Sequence, residues 1–340
     1  MKHLRIAFVS SHPSIRRYKR DASFIYRCEN LAFELSRVGY KISLLHIYTL
    51  LFRRDFDVVV FLRPSMSRLF RYVVRCLKSR NVILLGDVDD LIFDPYYVKF
   101  RPSVLNHISD ETKTANSFIK HGDALSILDK IIFSTDSLRD HYLSLNANAK
   151  CIVIPNAGHH SWSVVQHSTS HSELKISYFS GTKTHDRDFG IVVPVLRELL
   201  NKCPDLKIQI VGPLSSDLDH PRVVRIPKVP FGEYAKLVKD SHINIAPLED
   251  TPFNQCKSAL KAIEAGMMNV PTVASPVGEY KKVNIEGVML AKTNQEWMER
   301  LEFLLNANNY ERVCKNLRER ICTYSDVRRH ADSFIKFVLN

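Results

Sequence analysis

The sequence predicts an α/β protein in which two doubly wound domains face one another across a cleft. At 340 residues the chain is long for a single compact core. Short β-branched or apolar segments alternate with helical patterns along its whole length, which is typical of parallel sheets flanked by helices. A stretch rich in Ser and His, 159–172, has no periodicity and divides this alternation into two series. The composition, 45% hydrophobic and 25% charged, excludes disordered, collagen-like and repeat proteins.

The first series predicts one parallel sheet. Its strand-like segments are 5–10, 42–47, 57–62, 82–86, 131–134 and 151–155. Between the first two, a helix begins near Tyr26, repeats Leu31, Leu35 and Val38 at helical spacing, and ends at Gly39.

The second series predicts another such sheet, with strands near 175–179, 207–211, 243–246, 271–274 and 287–290 and helices near 190–202, 231–240, 257–265 and 294–305. An apolar stripe in 325–339 predicts a last helix that crosses back onto the N-terminal lobe. We expect Rossmann-like domains at 1–165 and 172–322 and a C-terminal helical segment at 323–340. Such sheets bind ligands at the carboxyl ends of their strands, so both lobes should line one cleft.

The net charge of +12 is concentrated in the first quarter of the chain. Residues 1–80 hold 17 Lys and Arg against 5 Asp and Glu, and the remaining residues balance. A segregated basic face attracts nucleic acid, anionic lipid or phosphorylated substrates, although a solvated surface explains it equally well.

The sequence also indicates the compartment. Apolar runs are strand-sized, no leader-like segment follows Met1, and the seven cysteines are scattered. We therefore expect an unsecreted, cytoplasmic protein with reduced thiols and no transmembrane helix.

The segment 247–266 predicts a strand end, a loop and a helix that ends at Gly266. Within it, Lys257, Lys261 and Glu264 have the spacing of one helical face. Two lysines and a helix N-terminus form an anion site, and the Glu264 carboxylate can accept two ribose hydroxyls. This arrangement suits a nucleoside diphosphate. The alternative is a surface ion pair between Lys261 and Glu264.

Two further strand ends carry candidate residues. Ser180, Gly181 and Thr182 form a turn of small residues, in which Gly181 permits close backbone approach to a phosphate. His185 follows them and on its own is more often structural.

In the first half, Asp87, Asp89 and Asp90 follow a strand whose carboxyl end should face the cleft. Their spacing does not fit an EF-hand. They bind a metal, accept a proton from a sugar hydroxyl or cap a helix, and the residues alone leave these alternatives open.

Five motifs occur together in order: Gly86-Asp87-Val88-Asp89-Asp90; Ser134-Thr135-Asp136-Ser137-Leu138; Ile154-Pro155-Asn156; Ser180-Gly181-Thr182-Lys183-Thr184-His185 with Asp188-Phe189; and Pro247-Leu248 with Phe253-Asn254, Lys257-Ser258, Lys261 and Glu264. Over roughly residues 5–330 this set resembles bacterial glycosyltransferases of the GT-B fold that build O-antigen and capsule polysaccharides. That branch lies near the large retaining family with the E-x7-E motif.

The resemblance implies transfer of a sugar from a nucleotide-sugar donor to a hydroxyl of a glycan or lipid-linked acceptor. It implies retention of anomeric configuration and no metal or other cofactor. The residues it implies for the donor are Ser180, Gly181, Thr182, His185, Asn254, Lys257, Ser258, Lys261 and Glu264. Those it implies for the acceptor are Arg27 and Arg63, and the candidate catalytic carboxylates are Asp87, Asp89 and Asp90.

The chain departs from the E-x7-E family at three positions. The first Glu of the motif falls on Cys256, whereas the second, which binds the donor ribose, is Glu264. The basic residues that neutralise the pyrophosphate fall on Thr182 and Asp188. We expect Lys257 and Lys261 to replace them, with 183 and 187 as further basic positions.

Two other functions remain open. One is a nucleotide-sugar epimerase of the same fold, which needs no acceptor. The other is a non-enzymatic polyanion-binding protein that uses the basic first 80 residues, although their runs lack the interleaved aromatic residues of a single-strand binder. For the transferase, the same face is expected to dock on the inner surface of the cytoplasmic membrane, with no nucleic-acid partner.

Overall fold

A computed structural model of the chain describes residues 4–53, 55–164 and 173–340. It has two six-stranded sheets in which every paired strand is parallel. The first contains β1 (Arg5–Ser10), β2 (Lys41–His46), β3 (Val58–Leu62), β4 (Ile83–Val88), β5 (Lys130–Phe133) and β6 (Cys151–Val153). The second contains β7 (Lys175–Phe179), β8 (Lys207–Val211), β9 (Val223–Ile226), β10 (Ile243–Ala246), β11 (Thr272–Ala274) and β12 (Val288–Leu290).

Helices connect the strands and cover the sheets. Those of the first lobe are α1 (Ala22–Phe24), α2 (Asn30–Arg37), α3 (Ile47–Leu50), α4 (Arg68–Lys78), α5 (Pro102–Leu105), α6 (Glu111–Ser126) and α7 (Asp136–Leu145). Those that follow are α8 (Asp186–Gly190), α9 (Val193–Lys202), α10 (Phe231–Lys239), α11 (Leu260–Met267), α12 (Asn294–Leu305), α13 (Ala307–Cys314), α14 (Leu317–Tyr324) and α15 (Val327–Leu339). No helix in these ranges is both long and apolar enough to cross a membrane.

The order of the strands determines where each sheet forms a crevice. The first sheet runs β2-β1-β3-β4-β5-β6, so its order reverses between β1 and β3. The second runs β12-β11-β10-β7-β8-β9 and reverses between β7 and β10. A crevice forms beyond the carboxyl ends of strands at such reversals, because the connections leave in opposite directions. The two predicted doubly wound sheets are thus present.

The structure differs from the sequence expectations in local details. Asp87 lies inside β4 rather than after it, because it is in register with Leu62 of β3 and Ile132 of β5. The edge strand β9 is not predicted, since its middle residues, 224 and 225, are exposed and it has no apolar run. The predicted helix from Tyr26 is interrupted by a π-helical turn, Ile25–Glu29.

The helix predicted from 257 begins later, at Leu260. Lys257 has extended backbone, with ψ of 139°, and its carbonyl oxygen accepts a hydrogen bond from the Glu279 amide at 2.9 Å. Lys257 therefore precedes the helix that carries Lys261 and Glu264, and the prediction of one shared helical face for the three was wrong.

The last helix, α15, packs against α2 and the first sheet. Its residues Ala331, Phe334 and Val338 are buried in the same cluster as Ile6 and Phe8. The predicted boundary between 165 and 172 lies outside the described residues.

Candidate active site

The carboxyl ends of the two sheets face one another, and polar contacts join the lobes across the cleft. Asp90 follows β4 and Lys257 follows β10, and their side chains lie 2.5 Å apart. Three other loops make similar contacts: Asn156 Nδ2 donates to Ser258 Oγ at 2.9 Å, Thr135 Oγ1 to the Cys256 carbonyl at 3.2 Å, and Asn106 Nδ2 to the Thr184 carbonyl at 2.9 Å. The conformation is one in which the lobes are closed on each other.

A chain of alternating charges lies in the middle of this cleft. Arg63, just beyond β3, has a left-handed φ of 45°, and its guanidinium donates to both Asp89 and Asp90. Lys257 Nζ binds the second Asp90 oxygen from the opposite lobe. Burial raises the pKa of Asp90, but Lys257 and Arg63 outweigh it, so the net direction is downward. Asp90 is therefore an ionised carboxylate held by cations from both lobes.

Arg27 and Asp87 form a buried ion pair inside the first lobe. Arg27 Nε lies 2.9 Å from Asp87 Oδ1, and the side chains are 3% and 1% exposed. Arg27 also donates to the carbonyl of Ile154 and to Asn156 Oδ1. Burial raises the pKa of Asp87 to about 6, although Arg27 opposes the shift. The structure thus places these two predicted site residues against each other, where they fix the ends of β4 and β6.

Glu264 is buried and is contacted by two tyrosine hydroxyls. Tyr26 OH, from the π-helical turn of the first lobe, donates to Oε1 at 2.5 Å, and Tyr234 OH donates to Oε2 at 2.9 Å. Burial raises the pKa of Glu264, and the two hydroxyls partly offset this. Lys261 lies one turn earlier, and burial lowers its pKa. The carboxylate predicted to hold a ribose therefore holds the two lobes together in this conformation.

The loop after β7 forms the other wall of the crevice. The Ser180 hydroxyl lies 2.8 Å from the carbonyl oxygens of Thr182 and Pro213, which sets the turn. Gly181 and Thr182 are exposed, and a Cβ at Gly181 would meet nothing within 4 Å. The predicted small-residue turn therefore leaves its backbone accessible to a ligand.

A buried polar cluster packs against the loop after β7. His185 Nδ1 lies 2.9 Å from Asp188 Oδ2, while Asp188 Oδ1 accepts from the Glu249 amide at 2.9 Å and from Asn254 Nδ2 at 3.0 Å. Burial lowers the pKa of His185, and the nearby Lys261 adds to this. His185 and Asn254 thus join the loops after β7 and β10, and Asp188 is their common partner.

Several contributors to the site are not identified by sequence reasoning. Asn156 stands within one of the five motifs and Tyr26 at the start of a predicted helix, yet nothing in the local sequence indicates that either side chain contacts the other lobe. Tyr234 lies on α10, where its aromatic side chain is indistinguishable from a core residue. Arg101 lies near Asp90 and Arg63, and burial lowers its pKa. Its only sequence signal is its charge.

No protein-family model and no curated protein matches the chain, whereas solved structures do. An alpha-glucosyltransferase in complex with UDP and a 13-mer DNA containing a central A:G mismatch aligns with a TM-score of 0.70, 10% identity and 100% coverage of both chains. A mutant of S. aureus TarM with Fondaparinux, alpha-GlcNAc-glycerol and UDP aligns with a TM-score of 0.59 and 13% identity, over 86% of this chain. The S. aureus MnaA–UDP structure has a TM-score of 0.57 and 12% identity, and covers 99% of this chain and 97% of MnaA.

These comparisons show the fold. The chain has the two Rossmann-like domains of the GT-B architecture, which confirms the fold class predicted from the sequence. It spans 58% of the TarM chain. At 10–13% identity, the likeness shows nothing finer than architecture.

Proposed function

We propose that the protein is a glycosyltransferase that moves a sugar from a nucleotide-sugar donor to a hydroxyl of a glycan or lipid-linked acceptor. The observation that carries this proposal is the pairing across the cleft of Lys257, at the crevice between β7 and β10, with Asp90 of the first lobe. A cation site for a diphosphate and a carboxylate for an acceptor hydroxyl thus meet at one point. The shared fold with structures solved with UDP supports this donor class.

In this proposal the second lobe holds the donor. Lys257 and Lys261 neutralise the diphosphate, the Ser258 hydroxyl and the N-terminus of α11 assist, and the exposed turn at Gly181 receives a phosphate or sugar. Lys257 is bound to Asp90 in the closed structure, so an incoming diphosphate takes the place of that carboxylate. Glu264 binds the ribose once Tyr26 moves away with the first lobe.

The first lobe supplies the acceptor side. Arg63 orients Asp89 and Asp90, which position the acceptor hydroxyl. One of the two carboxylates takes up the hydroxyl proton as the hydroxyl oxygen bonds to the anomeric carbon and the bond from that carbon to the diphosphate breaks. Arg27 and Asp87 act as positioning residues, because they are buried against each other. We propose that the reaction retains anomeric configuration and that cationic side chains, rather than a metal, stabilise the leaving diphosphate.

The test is to incubate the protein with UDP-glucose, UDP-N-acetylglucosamine and a GDP-sugar and to follow the anomeric protons by NMR. A transferase without acceptor releases sugar slowly from one donor, and Lys257→Met should abolish this while Lys236→Met, on the surface of α10, should not. The anomer released first reports retention or inversion, and omission of Mg²⁺ and Mn²⁺ should not slow the reaction.

A different outcome of this NMR experiment would favour the second candidate function, a nucleotide-sugar epimerase. Structural likeness to MnaA, and to a putative UDP-N-acetylglucosamine 2-epimerase from Listeria monocytogenes with a TM-score of 0.54, keeps an epimerase under consideration. Formation of a new epimer with the nucleotide still attached would replace the transferase proposal. If every nucleotide-sugar stays intact and no nucleotide binds, both the transferase and the epimerase proposals are contradicted.

We further propose that the first lobe docks on an anionic membrane surface that presents lipid-linked acceptors for cell-surface polysaccharide synthesis. The outer face of α4 exposes Arg68, Arg71, Arg75 and Lys78 around Tyr72, while its inner face is buried. In the same lobe, Phe52 follows α3 and is 87% exposed. Aromatic side chains beside cations are suited to the interface of anionic lipids.

Sedimentation with vesicles of phosphatidylcholine and phosphatidylglycerol tests the docking. We expect binding that increases with the phosphatidylglycerol fraction and is weakened by Arg71→Glu or Phe52→Ser, with Lys315→Glu, on the other lobe, as the control. Equal binding to neutral vesicles would contradict the proposal. Tight, salt-dependent binding to duplex DNA instead would favour a nucleic-acid partner.

A further inference from the structure

Three metal-ligating side chains, none of them assigned to the donor or the acceptor, meet where the chain beyond β6 passes the π-helical turn of the first lobe. Glu29 ends the π-helical turn, and His159 and His160 lie in the linker beyond β6. One ligand atom from each lies within 4.8 Å of those of the other two. The linker is docked there by Asn30, whose Nδ2 donates to the Gly158 carbonyl at 3.0 Å and whose Oδ1 accepts from the His160 amide at 3.0 Å.

His159 presents a ring nitrogen that needs a partner. The side chain is buried, and its Nε2 has no hydrogen-bond partner among the described residues. Its Nδ1 lies 2.8 Å from Ser161 Oγ and accepts a hydrogen bond from the Ser161 amide at 3.3 Å, so in this conformation the proton lies on Nε2. This tautomer buries an N–H without an acceptor, which is costly. In the other tautomer Nδ1 donates its proton to Ser161 Oγ, and the lone pair of Nε2 is left for a ligand.

The ring of His160 is likewise oriented by a contact between its Nδ1 and a side-chain oxygen. Its Nδ1 lies 3.3 Å from Asn30 Oδ1, an acceptor, so Nε2 carries the lone pair. Its ring stacks on Phe33 with centroids 3.9 Å apart. A histidine that ligates a metal donates its other ring N–H to a fixed oxygen, and both histidines here have such an oxygen.

We propose that Glu29, His159 and His160 bind one divalent ion of the borderline class, of which Zn²⁺ is the principal member, and that the ion fixes the linker to the first helix. Two imidazole nitrogens and one carboxylate form a zinc ligand set that leaves a fourth position for water. The site is separate from the proposed transfer reaction and does not rest on it. Its connection to the cleft is Tyr26, whose ring packs against His159 and whose hydroxyl reaches Glu264.

The test is titration of the full, chelator-treated chain with Co²⁺, followed by visible absorption, and then displacement by Zn²⁺. We expect one equivalent bound per chain and a higher melting temperature with Zn²⁺. Glu29→Gln and His160→Gln should weaken binding by more than about tenfold, since even outer-shell partners of metal sites contribute about 10- to 100-fold. His220→Gln, a half-buried histidine of the second lobe, is the matched control.

Two results would overturn the proposal. One is the absence of stoichiometric binding, or equal affinity in all three variants. The other is a thiolate-to-cobalt charge-transfer band, which would assign the ion to some of the seven cysteines, all free thiols in the structure. Circular dichroism of the metal-free variants checks that they are folded, which distinguishes a loss of binding from a loss of structure.

Discussion

Replacing Asp90 by Asn should strengthen nucleotide binding while it weakens sugar transfer. In the closed structure Lys257 Nζ lies 2.5 Å from Asp90 Oδ1, with side chains 25% and 23% exposed. A diphosphate needs the same ammonium group, so binding breaks this ion pair. A hydrogen bond to a charged group contributes about 1.5–3 kcal/mol. Removing the carboxylate charge should therefore increase affinity for UDP by about 10- to 100-fold, at 1.4 kcal/mol per factor of ten.

Isothermal titration of UDP into wild type and Asp90→Asn at one pH and ionic strength measures this effect. Asp89→Asn is the matched control, because it removes a neighbouring carboxylate that contacts Arg63, whereas the ion pair of Lys257 is with Asp90. The control should change the affinity much less. Equal or weaker UDP binding by Asp90→Asn would refute the reasoning that phosphates displace this carboxylate from Lys257.

Three further predictions concern stability. Tyr26→Phe removes a hydroxyl that donates to Glu264 across the lobes, so urea unfolding should show a loss of about 1.5–3 kcal/mol without weaker UDP binding. Lys130→Met should cost a similar amount, because Lys130 Nζ donates to two carbonyls at the end of α15, at 2.6 and 2.9 Å; Lys150→Met, on the surface, should be neutral. Burial lowers the pKa of His330 from 6.5 to about 4, so the unfolded chain binds more protons and stability falls as pH drops through this range. His330→Gln should reduce that slope by up to about 1.4 kcal/mol per pH unit.

The sheets could be predicted from the sequence because their signals are local. Strands such as Arg5–Ser10 and Lys175–Phe179 are buried apolar runs bounded by polar residues. The strand Val223–Ile226 could not be predicted, because an edge strand with exposed residues has no such apolar run. The start of α11 could not be predicted for a different reason. The carbonyl of Lys257 accepts a hydrogen bond from the amide of Glu279, a residue distant in sequence.

The candidate site could be predicted as a set of residue types but not as a set of contacts. Lys257, Lys261 and Glu264 stand out by charge and spacing within one segment. Their partners do not, because Tyr26 and Glu264 are 238 residues apart and meet only when the lobes pack. Asp87 was predicted from its place at a strand end, but its partner Arg27 comes from a distant helical segment, the π-helical turn.

The central claim is that the crevice between β7 and β10 binds a nucleoside diphosphate through Lys257. The most direct measurement is thermal unfolding with UDP, GDP, ADP, TDP and CMP, in wild type, Lys257→Met and the surface control Lys236→Met. Ligand at about 100 times its dissociation constant stabilises a protein by about 2.7 kcal/mol. We predict that one diphosphate stabilises wild type and Lys236→Met but not Lys257→Met; stabilisation by none of the five, or full stabilisation of Lys257→Met, would contradict the claim.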